Sequence, residues 1–363
     1  MAECSEDLVP ATKVLAIASH VVYGYVGNTM ATFCMQTLGC EVSAINTVNF
    51  SNHTGYGQWT GPRTQPEVVA ELYAGLRKSN LTDFDVLLTG YIPSAAVLHE
   101  VALIARDLKS TRTGRRNVLW ILDPVMGDQG KLYVSAELVS GYKDIIGRGE
   151  PDLVVPNGFE LELISGVSVT SGEAAGDAWQ AQLDKVKAAI QVLHQRDGIR
   201  MVVVTSVRVS DRPGILCVVG SEMRSDRTAR AFLVEIPALN CFFSGTGDMF
   251  AGLMVGRLRE EYQAADPTGQ NGWASSDRVV AVETPLARAT IKVLSSMSAV
   301  LEKTMVARDR EMEAYRSDHQ SDEGSDRLRS SHLAQTKAAE VRAVRNAADL
   351  RQPTIIFKAT SID

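Results

Sequence analysis

Cysteine is scarce and unpatterned in this chain of 363 residues: Cys4, Cys34, Cys40, Cys217 and Cys241 are an odd number, with no C-x-x-C pair. They read as small core residues in a reducing compartment, and neither a disulfide framework nor a zinc site follows from them. Aromatic side chains make up only 6%, and 37 Lys plus Arg against 43 Asp plus Glu leave a net charge of -6. A nucleic-acid partner, which needs a concentrated basic surface or a stacking platform, is therefore not expected. No apolar run approaches the roughly 18 residues of a membrane helix, so no membrane partner is expected either. The opening Met1-Ala2-Glu3-Cys4-Ser5-Glu6-Asp7 is acidic where a targeting peptide would begin basic. The expected location is the cytoplasm, with nuclear presence left open. Two phosphate-binding signatures are missing as well. There is no G-x-x-x-x-G-K-[ST], and no G-x-G-x-x-G joins the first apolar run to the helix after it. That excludes a Walker-type site and weakens a dinucleotide-binding oxidoreductase.

What is present is an alternation of short apolar runs and helical patterns. After a polar arm at 1–12, expected to be flexible, Val14 to Ala18 reads as a strand, and a loop with Gly24 and Gly27 leads to a helix ending near Leu38. Val42 to Ile45, Val86 to Leu88, Val118 to Leu122, Leu153 to Val155 and Met201 to Thr205 are further strands. Helical patterns run over Pro66 to Arg77, Ala95 to Leu108 and Ala178 to Gln195. Continuous apolar strands alternating with helices imply an α/β fold with a mostly parallel sheet covered on both faces. Ile215 to Val219 and Phe232 to Val234 look like an antiparallel addition, followed by closing helices from Gly245 to Leu258 and from Pro285 to Leu301. The stretch at about 307–350 is highly charged and poor in large apolar residues. It is expected to be a mobile insertion, dispensable for catalysis, in a single domain at 13–363. Thr354 to Phe357 would be the last strand.

Four segments could carry chemistry. Ser244-Gly245-Thr246-Gly247-Asp248 runs into an apolar helix, whose first amides are unpaired donors suited to an anion. On this motif alone Asp248 is either a partner of the helix dipole or a base beside that anion. Asp123-Pro124-Val125-Met126-Gly127-Asp128 follows a strand, where two carboxylates suit a hard cation or a metal-bound phosphate, although a turn or cap is the commoner use. Pro156-Asn157-Gly158-Phe159-Glu160 also follows a strand, and its spacing favours a simple capping box. Asn49 to Tyr56 is a polar loop in which His53, taken alone, reads as a structural hydrogen-bonder. Each of these groups lies just past an expected strand, and that agreement lifts them above their separate readings.

In order, S-H-V-V-Y-G-Y-V-G-N at Ser19 to Asn28, F-S-N-H-T-G-Y at Phe50 to Tyr56, T-G-Y at Thr89 to Tyr91, D-P-V-M-G-D, P-N-G-F-E, T-S at Thr205-Ser206 and G-T-G-D closely resemble the pyridoxal kinase family of the ribokinase superfamily. The resemblance covers roughly Lys13 to Leu301 plus the terminal strand. It implies a ribokinase-like three-layer α/β/α fold and ATP-dependent phosphorylation of the 5′-hydroxymethyl group of pyridoxal, pyridoxine and pyridoxamine. It further implies an acceptor pocket of Ser19, Val26, Val48, Phe50, His53, Thr54 and Tyr91. Asp248 would accept the proton, with Gly245, Thr246 and Gly247 as the anion hole. Asp123, Asn157, Glu160, Thr205 and Ser206 would surround the ATP phosphates and a monovalent cation, K+ or Na+, while Leu239, Asn240 and Cys241 would edge the adenine. Mg2+ would fall to Asp128 with Asp123 and Glu160. A homodimer is implied too.

Val155 departs from the family pattern, in which a threonine often precedes P-N-x-x-E, so one side-chain oxygen for a monovalent cation is lacking. The rivals are a hydroxymethylpyrimidine kinase of the same superfamily and a non-catalytic vitamer-binding protein. N-H-T-G-Y speaks against the first, and an intact G-T-G-D against the second.

Overall fold

The computed structural model describes residues 9–111, 117–169, 179–208, 212–269, 272–318 and 325–363. The chain opens with β1 (Lys13–Tyr23), α1 (Gly27–Thr37), β2 (Glu41–Asn52), α2 (Pro66–Lys78), β3 (Val86–Thr89), α3 (Ala95–Thr111) and β4 (Leu119–Leu122). A small hairpin, β5 (Gly127–Asp128) and β6 (Lys131–Leu132), precedes α4 (Ala136–Gly147), β7 (Leu153–Val154), α5 (Gly158–Ser165) and α6 (Trp179–Gln195). Then come β8 (Met201–Arg208), β9 (Ile215–Met223), β10 (Ala229–Pro237), α7 (Thr246–Ala265), α8 (Pro285–Asp318), α9 (Ser325–Ala338), α10 (Ala347–Arg351) and β11 (Thr360–Ser361).

Nine strands form one sheet in the order β11-β10-β9-β8-β7-β4-β3-β1-β2. From β2 to β8 every pairing is parallel, and β9, β10 and β11 add antiparallel. The central strands β3 (VLLT) and β4 (LWIL) are buried along their whole length, as a sheet covered on both faces demands. One hydrophobic cluster packs side chains of α2 to α6, such as Val69, Val101, Tyr142, Leu161 and Ile190, against one face. The other face is covered by α1, α7 and α8 through Met30, Cys34, Met249, Leu253 and Val293. The result is the three-layer α/β/α arrangement with a mostly parallel sheet. No helix among the described residues is long and apolar enough to cross a membrane.

Several expectations need correction. Residues 1–8 of the expected arm, and Ala178, lie outside the described residues. The rest of the arm is docked: Val9 is buried and its N–H donates to Leu38 O at 3.0 Å, and Thr12 O accepts from Glu41 N at 2.9 Å. Both β1 and β2 run well past their apolar runs, so Asn49 to Asn52 belong to a strand and only Thr54–Tyr56 is a 3-10 turn. In β2 Val48 and Phe50 alternate with exposed Asn49, and Asn49 N and Ser51 N bond Pro62 O (3.0 Å) and Thr60 O (2.7 Å), so polar residues sit on an edge satisfied by a neighbouring segment.

The charged stretch is mostly built into the fold. Helix α8 continues to Asp318, and α9 and α10 follow, while 319–324 lie outside the described residues. Ala338, Ala339, Val341, Ala343 and Leu350 are buried, and the nearly buried Arg257 donates to Leu350 O (2.9 Å) and Arg351 O (2.6 Å). Small residues interleaved with charges suffice for close packing, which a search for large apolar side chains overlooks. Thr354 to Phe357 is not a strand: Ile355 and Ile356 are exposed, and the last pairing comes later, with Thr360 opposite Leu233 and Ser361 opposite Phe232.

Candidate active site

Local sequence explains why the start of α7 lacks the side-chain cap that α4 and α5 carry. Ser135 caps α4 by accepting from Leu138 N, and Asn157 and Glu160 close a capping box on α5. Helix α7 begins after Gly245, which has no side chain to cap with and sits at φ +81. A β-carbon there would fall 2.1 Å from Tyr25 O, so the turn requires glycine twice over. The first amides of α7 are thus left for an anion, at the positive end of a 20-residue helix.

These amides face a cavity of about 500 Å³. Thr246 and Gly247 from α7, Asp128 from the hairpin, Thr205 and Ser206 from β8, and Leu239 and Cys241 from the loop before α7 all line it. Thr205 and Ser206 occupy a register shift between β8 and β9, where a bulge turns both hydroxyl-bearing residues out of the regular pleat. Asn240, expected at the adenine edge, is exposed and is not among the lining residues. Phe159 of P-N-G-F-E and Phe243, just before the G-T-G-D segment, are apolar walls, joined by Leu294, Met297 and Phe357, which no motif had pointed to.

Buried carboxylates crowd together beside this cavity. Burial raises the Asp248 pKa to about 6, against the opposing pull of the Gly27 N–H and its own N–H. Asp123 is raised well above the usual carboxylate range by burial, then by Glu160 and Asp248. Its carboxylate faces Gly247, where a β-carbon would lie 3.4 Å from Oδ2. Glu160 is pushed up to about 7 by burial, although three backbone amides oppose the shift. Its oxygens accept from Met126 N (2.9 Å), Gly127 N (3.4 Å) and Asn157 N (2.9 Å). Asn157 donates to Gly127 O at 2.8 Å. The capping box is therefore real, and the same two residues also fasten the turn that presents Asp128. Among the described residues no group of three or more His, Cys, Asp or Glu is arranged to hold a metal unaided. A cation here would complete its oxygen shell with phosphate and water, the usual arrangement for Mg2+, and its charge would relieve the repulsion among these carboxylates.

On the other side of Asp248 lie the residues expected to form the acceptor pocket. A β-carbon on Gly90 would sit 3.7 Å from Asp248 Oδ1, and Tyr91 follows directly. Val21, Val48 and Phe50 form a small cluster on which Val26 and Tyr91 pack. Ser19 stands at the register shift between β1 and β2, with its Oγ pressed against Gly27. Thr54 is exposed at the start of the 3-10 turn. His53 is buried, and both ring nitrogens are committed: Nδ1 accepts from Gly55 N at 3.2 Å, and Nε2 lies 3.0 Å from Glu340 Oε1. Tyr56, the last residue of F-S-N-H-T-G-Y, belongs to this constellation, as does Glu340, which was not foreseen because it sits in a charged run nearly three hundred residues downstream.

An uncapped helix start, a buried carboxylate beside it, and a cavity beyond the ends of parallel strands fit a ribokinase-like phosphotransferase. No family model matches the chain. Over 253 residues it is 36% identical to human pyridoxal kinase, covering 67% of this chain and 76% of the human protein. Over 348 residues it is 30% identical to pyridoxal kinase of Arabidopsis thaliana, covering 96% and 94%. It aligns with the structure of pyridoxal kinase from Leishmania donovani in complex with ADP and pyridoxamine at a TM-score of 0.73 and 26% identity, over 97% of this chain and 100% of that one. The chain belongs to the pyridoxal kinase family.

Proposed function

We propose that this protein phosphorylates the 5′-hydroxymethyl group of pyridoxal, and of pyridoxine and pyridoxamine, at the expense of ATP. The observation that carries this reading is Asp248, held between the uncapped start of α7 and the acceptor region around Gly90 and Tyr91. The acceptor hydroxyl gives its proton to the Asp248 carboxylate as its oxygen bonds to the γ-phosphorus. The bond from that phosphorus to the β,γ-bridging oxygen breaks, and ADP leaves. The Gly245, Thr246 and Gly247 segment stabilises the charge on the transferring group, and such preorganised donors supply much of the catalysis in phosphoryl transfer. Ser19, Thr54 and Tyr91 orient the vitamer, and Val26, Val48 and Phe50 flank its ring. Thr205, Ser206, Leu239 and Cys241 line the nucleotide side.

A nucleotide-bound metal accompanies ATP. Mg2+ is the metal we assign: Asp128 and Asp123 would hold it, Glu160 fastens the turn that presents Asp128, and the ion would supply charge neutralisation on the phosphates. A monovalent cation has no hydroxyl to use at Val155, so K+ and Na+ should support similar rates. A homodimer in the cytoplasm completes the reading. A coupled assay of ADP release with each vitamer, and with hydroxymethylpyrimidine as the rival acceptor, tests it.

A further inference from the structure

The acceptor turn is tied to the far end of the chain. Glu340 follows α9, and its side chain is only 14% exposed. Three donors converge on its two oxygens: Tyr56 OH at 2.9 Å and His53 Nε2 at 3.0 Å on Oε1, and Tyr25 N at 3.3 Å on Oε2. The histidine geometry fixes the direction of its bond. Because Nδ1 accepts from Gly55 N, the neutral ring carries its proton on Nε2 and donates it to the carboxylate. The carboxylate also fills the space over Gly24, which lies at φ +99 and where a β-carbon would come within 2.6 Å of Oε1. Helix α9 adds two further ties to the same turn, His332 Nε2 to Gly55 O at 3.0 Å and Arg329 Nη2 to Gln58 Oε1 at 2.5 Å.

These donors come from two separate loops. Tyr25 lies between β1 and α1, beside Val26, and its carbonyl abuts Gly245 at the start of α7. His53 and Tyr56 frame Thr54 in the acceptor turn. A single carboxylate thus joins the loop that touches the proposed anion hole to the turn that would cover the vitamer.

We propose that Glu340 is a positioning residue for the acceptor site, a carboxylate clamp through which the C-terminal segment sets the spacing between the 24–26 loop and the 53–57 turn. The role of these segments as the acceptor side rests on the function proposed above; the clamp itself does not. A carboxylate is suited to the task because three donors need more acceptor capacity than one amide oxygen offers. Replacing it leaves at least one buried donor unpaired, an effect commonly worth about tenfold in an equilibrium.

The test uses the full-length protein with Glu340→Gln, Tyr56→Phe and the double variant. Glu340→Gln should raise KM for pyridoxal about tenfold. KM for ATP and acceptor-free ATP hydrolysis should stay within about twofold, and the double variant should be little worse than Glu340→Gln alone. Hydrogen exchange, read without any substrate, should quicken in peptides covering both 22–27 and 52–58. Unchanged exchange in those peptides would overturn the clamp whether or not the wild type turns over pyridoxal. Equal changes in both KM values, or strictly additive variants, would overturn its positioning role. A wild type that releases no ADP with pyridoxal, yet whose variant shows the faster exchange, would refute the proposed acceptor and leave the clamp standing.

Discussion

Asp248 carries opposed demands within one side chain. To accept a proton it must ionise, while its surroundings raise its pKa to about 6. For a carboxylate whose folded pKa lies above its unfolded value, the stabilising contribution is complete below the unfolded pKa and is lost as pH rises through the folded one. Asp248→Asn should therefore raise the Tm of the ligand-free protein by about 2 °C or more at pH 8, with the gain fading towards pH 4. The same variant should lose about 10²–10⁴-fold in kcat, since an amide cannot take the alkoxide proton. Thermal melts and steady-state rates on one preparation check both, and a variant with half the wild-type kcat would reduce Asp248 to a helix-dipole partner. In the wild type, log kcat/KM for pyridoxal should fall below about pH 6. That limb belongs to the carboxylate cluster as a whole, because Asp123 and Glu160 are also raised and Asp123 interacts with both Glu160 and Asp248. A rate flat from pH 8 to pH 5 would contradict this reading.

Site residues enter through the irregular places of otherwise regular elements. Ser19 sits at a register shift of β1 on β2, Thr205 and Ser206 at one of β8 on β9, and the anion hole at a left-handed glycine. Gly245→Ala should cost about 1–3 kcal/mol from its backbone conformation alone. The collision with Tyr25 O adds to that, so calorimetry should show a Tm lower by several degrees and kinetics a lower kcat. A variant with wild-type Tm would mean that the turn relaxes freely. The strand cores and the G-T-G-D, D-P-V-M-G-D and P-N-G-F-E segments were legible because apolar runs and small-residue loops leave a local signature. The extension of β2 through Asn52 was not, since Asn49 and Ser51 bond to residues 60–62, and nothing within the strand announces that partner. The dual use of Glu160 was half legible: spacing shows the cap, whereas its bonds to Met126 and Gly127 need the third dimension.

At the scale of the whole molecule, two apolar layers on one sheet fix the strand ends, and the site proposed for ATP and the acceptor lies beside those ends. The layering was readable from alternation alone. The closure of the molecule by its own C-terminal part was not: α8 and α9 place Glu340 against the acceptor turn, and Phe357 lines the large cavity. Such links join residues far apart in sequence through single side chains, and a composition rich in Arg, Glu and Ser hid the alanines and valines that make the packing possible. Self-association is an observable at this scale too. Light scattering at micromolar concentration should give twice the 39.3 kDa chain mass. A stable 39.3 kDa species would contradict the dimer. The central claim, phosphoryl transfer to pyridoxal, is tested most directly by coupled ADP release from purified protein with ATP and Mg2+. Release should depend on pyridoxal, equal the pyridoxal 5′-phosphate formed, and not be matched by hydroxymethylpyrimidine. Protein that binds pyridoxal but releases ADP no faster than in its absence would contradict it.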